Sequence, residues 1–335
     1  SGQAQTLASD TYFSAFISNG ASSEICFIVF TFCTLGIIYA GVQNGIERVS
    51  KFMMPVLVVL SVIIAIYSVT RPGALEGVKY FLVPNPANFS WMTVVSAMGQ
   101  MFYSLSIAMG ILVTFGSYML KDMSIEDSTQ NVEIFDTAIA IMAGLMIIPA
   151  VFAFSGGDPD TLNAGPALMF ITIPKVFANM GFGTVVGILF FLLVLFAAVT
   201  SSIALTESAV STFEDEIGWS RRKSTAVIGI IMIALGTLSC LGYGPLAFVK
   251  IIGMQFLDFF DFLTNSVMMP IAAFATCLLV SRKIGLKRIE EEVLSGESNF
   301  RRKKIFNFMI KYLCPIFAAI ILLSSIANAF GWITI

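Results

Sequence analysis

Eight stretches of this sequence, 24–42, 53–70, 91–119, 133–154, 183–208, 225–243, 256–280 and 306–331, are each apolar over close to the length that crosses a bilayer. A helix needs roughly 20 residues for that crossing. The pattern constrains the fold more than any other feature, because lipid offers no partner to a backbone amide. Each crossing must satisfy its own N–H and C=O groups as a helix, unless strands close into a barrel. No stretch alternates with the two-residue period of barrel strands, so the sequence predicts an all-α, polytopic membrane protein. Composition agrees: 57% of the 335 residues are hydrophobic and 12% charged, against roughly 45–50% and 25% in soluble domains. The five Cys show no CxxC spacing, so neither a zinc site nor a disulfide framework is indicated. His is absent, which removes the commonest general base and metal ligand and argues against an enzyme.

Charge sets the expected topology. With the eight spans alternating in direction, one set of loops carries fourteen basic residues, from Arg48 and Lys51 through Arg221, Arg222 and Lys223 to Arg301–Lys304. The opposite loops carry four: Arg71, Lys79, Lys175 and Lys250. Basic loops stay cytoplasmic, so both Ser1 and the C-terminus are expected outside a cell inner (plasma) membrane. A chain that starts outside without a signal sequence implies an odd number of helices ahead of Ser1. Segment 156–182 is also apolar, but Asp158 and Asp160 open it and Pro166 and Pro174 interrupt it. It reads as an external helical hairpin or re-entrant loop. The stretch 287–304, KRIEEEVLSGESNFRRKK, reads as a solvated, partly helical loop.

Polar residues within the spans are the candidates for function. The third span contains GQMFYSLSIAMG, Gly99 to Gly110. Two arrangements satisfy it: a continuous helix whose hydroxyls bond back to carbonyls and whose glycines allow close packing, or a helix broken near 106–110 whose bare peptide groups line a cavity. In the fifth span Ala197, Thr200, Ser201 and Ala204 fall on one stripe. Its hydroxyls either pack helices together or supply the hard oxygen donors that Na⁺ prefers. Glu207 extends the stripe and is either a functional acid or a hydrated one near the cytoplasmic end. Asp136 opens the fourth span. Asp258 and Asp261 lie early in the seventh, where an acid is a solvated cap or a functional group.

Together, NGIERVSKFMMP (44–55), GQMFYSLSIAMG (99–110), DTAIAIMAG (136–144), AGPALMFITIP (164–174), FAAVTSSIA (196–204) and LDFFDFLTN (257–265) resemble the neurotransmitter:sodium symporter family. The likeness is to its bacterial eleven-helix amino-acid members, in family order across essentially the whole chain. It implies a partial LeuT-like inverted-repeat fold whose eight transmembrane helices match family helices four to eleven. Segment 24–70 would then hold the last two helices of the first repeat, 91–280 the second repeat with its helix broken near 104–110, and 306–331 a peripheral helix. Family helices one to three have no counterpart here, and the first supplies ligands to both sodium ions and to the substrate carboxylate.

Residue by residue, the resemblance implies that the Ala197 carbonyl and the hydroxyls of Thr200 and Ser201 contribute to the second sodium site. Ser104 and Asp136 belong to the first; Asp136 stands where the family carries an Asn, and Ala140 where chloride-dependent members carry a Ser. Tyr103, Ser104, Ser106, Met109, Ser201 and Leu205 match the substrate pocket. Met109, unbranched and adaptable, points to hydrophobic amino acids. Asp261 aligns with an external gate acid. The implied function is sodium-coupled amino-acid symport, with Na⁺ as the coupling ion, independent of chloride, in a form that does not transport alone. The expected partners are the amino-acid substrate, the lipid bilayer and a separate three-helix segment, with no nucleic acid. The competing function is a non-transporting membrane subunit, or pseudo-transporter, acting through a partner.

Overall fold

A computed structural model describes residues 9–86, 89–157 and 165–332. Seven helices among them are long and apolar enough to cross a membrane. In chain order the elements are α1 (Asp10–Ser18), α2 (Gly20–Tyr39), α3 (Val42–Val69), α4 (Ala74–Leu82), α5 (Trp91–Ser104), α6 (Ile111–Ser117) and α7 (Ile125–Ser155). They continue with α8 (Gly165–Ala178), α9 (Gly183–Ile217), α10 (Arg221–Leu241), α11 (Phe256–Ile284), α12 (Leu286–Gly296) and α13 (Lys303–Ala329). Seven of the eight apolar stretches form continuous helices. The exception is 91–119, which is divided into α5 and α6.

Several spans outrun their apolar stretches. Helix α9 continues nine residues past 208 to Ile217, and α7 starts eight residues before 133, at Ile125. Hydrogen bonding within a helix is local, so a crossing need not end where the hydrocarbon ends. Among the described residues of segment 156–182 there is one short helix, α8; Asp158 and Asp160 lie outside the described residues. Pro166 sits in the first turn of α8, where its missing N–H costs nothing. Pro174 follows a wider turn at Leu168–Thr172.

The chain forms two compact units. The first comprises 1–86, 137–206 and 213–249. Its core joins Leu57, Leu60 and Ile64 of α3 to Met146 and Val151 of α7, Ile173 and Phe177 of α8, and Phe190 of α9. Buried hydroxyls there are spent on carbonyls: Ser68 Oγ donates to the Met146 carbonyl at 2.7 Å and Ser61 Oγ to that of Leu57 at 2.8 Å. Small residues let backbones approach, as in other membrane bundles. Gly77 of α4 lies against Pro149, the Phe81 ring fills the space over Gly144, and on α10 Gly229 receives Leu35 and Gly236 receives the Phe27 ring. The same α2–α10 pair is tied by Thr237 donating to Glu24 at 2.5 Å and by Arg221 Nε donating to the Ile38 carbonyl at 2.9 Å. The outer faces of these helices expose Ile25, Val29, Phe32 and Ile230, a surface suited to lipid rather than water.

The second unit comprises 87–136, 207–212 and 250–335, with α11 packed on α13 and α13 on α5. One end is fastened by an acid taken almost wholly out of solvent. The Glu126 carboxylate accepts the backbone amides of Arg301 and Arg302 at 2.9 and 3.0 Å, and the Glu126 amide in turn donates to Glu297 at 3.0 Å. Arg302 also donates to Glu133 at 2.9 Å, a bond that pushes its guanidinium further up from its ordinary range. These contacts, with the Arg301–Asp127 pair, seat the loop after α12 on the start of α7. They give the stretch 287–304 the fixed geometry that its charge alone does not specify.

Candidate functional site

The interruption between α5 and α6 covers Leu105–Gly110. Ser106, Ala108 and Gly110 take φ values of 54°, 63° and 80°, a left-handed conformation that cannot continue a right-handed helix. Of the two arrangements open in the sequence, the broken helix is the one adopted. For Ala108 the left-handed backbone costs on the order of 1–2 kcal/mol, a cost that Gly does not carry. Ala108→Gly should therefore raise the thermal unfolding temperature of the detergent-solubilised protein, since relief of that strain exceeds the roughly 0.4–1 kcal/mol Gly adds to the freedom of the unfolded chain. A lower unfolding temperature would show that the strain is absent.

Just before the break, Ser104 Oγ donates to Asp136 Oδ1 at 2.6 Å. This pair joins the last residue of α5 to α7 and sets two hard oxygens side by side, a donor set suited to an alkali or alkaline-earth cation. Tyr103 is half exposed, and Ser106 and Met109 are partly exposed on the unwound segment. All of these residues belong to the second unit. In the first unit the Thr200 hydroxyl donates to the carbonyls of Phe196 and Ala197, each at 3.0 Å. The Ala197 carbonyl and Thr200 hydroxyl are thus neighbours on α9, while Ser201 and Leu205 are exposed further along it. The structure brings together Ser104 with Asp136 and Ala197 with Thr200.

One acid is more deeply embedded than the sequence suggested. Glu207, for which hydration near the cytoplasmic end was one of two readings, is fully buried and accepts the Tyr118 hydroxyl at 2.7 Å. An acid on a span can be hydrated only if its face of the helix is open, and here α6 lies over it. Asp261 accepts from Asn265 at 2.5 Å and lines a cavity of about 400 Å³ with Asp258, Ser266, Ser325 and Asn328. Asp258 shares that cavity, and both acids remain solvent-exposed. Sequence reasoning missed Thr114, Ser208 and Ser211, three buried hydroxyls that meet where α6 lies on the 207–212 stretch of α9. The signal was present on α6, where Thr114 and Tyr118 fall four apart on one face, but nothing local identifies their partners.

An apolar helix unwound at mid-span beside paired oxygens is a recurring feature of secondary transporters. The sequence matches the Sodium:neurotransmitter symporter family over residues 14–331, and the chain belongs to that family. It is 34% identical over 316 residues to an uncharacterised sodium-dependent transporter of Bacillus subtilis, covering 94% of this chain and 69% of that protein. It is 30% identical over 306 residues to an uncharacterised sodium-dependent transporter of Haemophilus influenzae, covering 90% of this chain and 66% of that one. The fold is similar to the crystal structure of MhsT in complex with L-phenylalanine, with a TM-score of 0.82, 33% identity, and coverage of 96% of this chain and 74% of that one. The all-helical, multi-pass membrane architecture and the LeuT-like fold expected from the sequence are thereby established. The chain spans about two thirds of the length of the bacterial relatives.

Proposed function

We propose that the complete protein is a sodium-coupled symporter of hydrophobic amino acids and that this chain carries part of its substrate and ion sites. The observation that carries this reading is the break at Leu105–Gly110 with the Ser104–Asp136 oxygen pair at its edge, in a chain whose relative MhsT was solved with L-phenylalanine. Ser104 and Asp136 contribute to one sodium site, and the Ala197 carbonyl, Thr200 and Ser201 to the other. Tyr103, Ser104, Ser106, Met109, Ser201 and Leu205 line the substrate pocket, with Met109 adapting to apolar side chains. Asp261 serves as an external gate acid. Coupling follows from differential affinity: bound Na⁺ favours the arrangement that accepts substrate over the one that does not, and substrate favours Na⁺ by the same factor.

Asp136 supplies locally the negative charge that an anion would otherwise provide. Uptake of L-phenylalanine into proteoliposomes holding the complete protein should therefore follow an inward Na⁺ gradient and be unchanged when gluconate replaces chloride. Uptake that requires chloride would remove Asp136 from this role. A complete protein that takes up no amino acid under any gradient would favour the non-transporting subunit instead.

A further inference from the structure

One buried polar cluster bears directly on the unwound segment. Thr114 on α6 and Ser208 and Ser211 on α9 are each 7% exposed, and their hydroxyls bond across the two helices. The single Thr114 hydroxyl proton faces both Ser211 Oγ at 3.2 Å and Ser208 Oγ at 3.5 Å, and Ser208 Oγ donates to the Met109 carbonyl at 3.5 Å. The Ser208 carbonyl accepts the hydroxyls of Ser211 and Thr212 from its own helix, while the Ser208 hydroxyl turns to the break. At Gly110, where φ is +80°, an added Cβ would come within 2.5 Å of Ser208 Oγ. The glycine is therefore needed twice over, for its backbone conformation and for the room it leaves the serine.

From this we infer that Ser208 and Thr114 are positioning residues: a buried cluster of the Thr114, Ser211 and Ser208 hydroxyls, with Ser208 donating to the Met109 carbonyl, holds the unwound segment in one conformation from its buried side. The inference rests on the symporter reading for its consequence, since Ser106 and Met109 lie on the segment so held. At side chains this buried, a lost hydrogen bond is not readily replaced. Losing one link frees the Met109–Gly110 peptide while leaving α6 and α9 themselves hydrogen-bonded.

Amide hydrogen exchange of this chain in lipid nanodiscs tests the idea without Na⁺ or amino acid. Thr114→Val keeps the shape and removes the hydroxyl, Ser208→Ala removes the donor to the Met109 carbonyl, and Thr114→Ser is the conservative control. The expected result is exchange roughly tenfold faster at Ser106–Gly110 in the first two variants, the effect of about one net hydrogen bond on local opening. Thr114→Ser should match the parent, and peptides from α2 and α10 should be unchanged in all three. Exchange at Ser106–Gly110 that stays at the parent rate in both Thr114→Val and Ser208→Ala would overturn the inference. So would equal acceleration throughout the chain, which marks a general packing role, or failure of both variants to fold. Because the readout needs no ligand, absence of Na⁺-dependent binding in the complete protein would remove the symporter reading without touching this result.

Discussion

In the Asp136→Leu variant of the complete protein, the Na⁺ concentration that half-saturates L-phenylalanine binding should rise by roughly 30- to 150-fold. Two unit charges about 4 Å apart near a protein surface interact by about 4 kcal/mol, and partial exposure trims that to about 2–3 kcal/mol. Asp136 is partly exposed and already hydrogen-bonded to Ser104 at 2.6 Å, so the carboxylate is aimed before any cation arrives. Asp136→Asn keeps an oxygen ligand while removing the charge and should fall between the two. Ser104→Ala, which removes a neutral ligand, should cost about tenfold, in keeping with a single polar contact. Titration of substrate binding against Na⁺ checks the series. Equal Na⁺ dependence in all four proteins would place the cation elsewhere.

Gly236→Leu on α10 should have the largest effect on folding. A Cβ at that position would lie 2.1 Å from Cζ of the Phe27 ring of α2; ring and glycine are only partly buried, so a whole leucine side chain there must swing the ring outward or part the two helices. Overpacking of this kind costs typically 1–3 kcal/mol, and a whole leucine side chain against an aromatic ring sits at or above the top of that range. The loss should be largely specific to the pair. Phe27→Ala alone leaves a cavity, but the double variant lets the new leucine occupy it, so the two changes together should cost less than their sum by about 1–3 kcal/mol. Unfolding of the purified single and double variants in detergent gives the coupling energy directly. Additive losses would mean that the two residues do not share the space.

The break and the packing differ in how far they can be read from the residues. Helix breakage at 105–110 was legible because glycines and serines sit in mid-span where a bilayer rewards neither, and because irregular backbone at that depth is tolerable only beside a cavity or within protein. Its resolution in favour of a break required the left-handed backbone at Ser106 and Ala108, which neither residue type announces. Helix ends were legible only to within several residues, since α7 and α9 continue through polar sequence. Contacts between distant residues were not legible at all. Thr114 and Ser208 are 94 residues apart, and Glu126 meets Arg301 across 175. Both partners in each case look like ordinary helix-end or surface residues until the fold places one against the other. Glu207 shows the same limit: its position on a stripe was readable, but its complete burial beneath Tyr118 depends on α6 folding back over it.

Equilibrium binding of labelled L-phenylalanine to the complete protein, with Na⁺ varied against N-methyl-D-glucamine at constant ionic strength, addresses the coupled site most directly. Saturable binding that rises with Na⁺ and vanishes in the organic cation is the predicted result. Binding of equal strength in both cations would contradict a pocket shared by substrate and sodium at the broken helix.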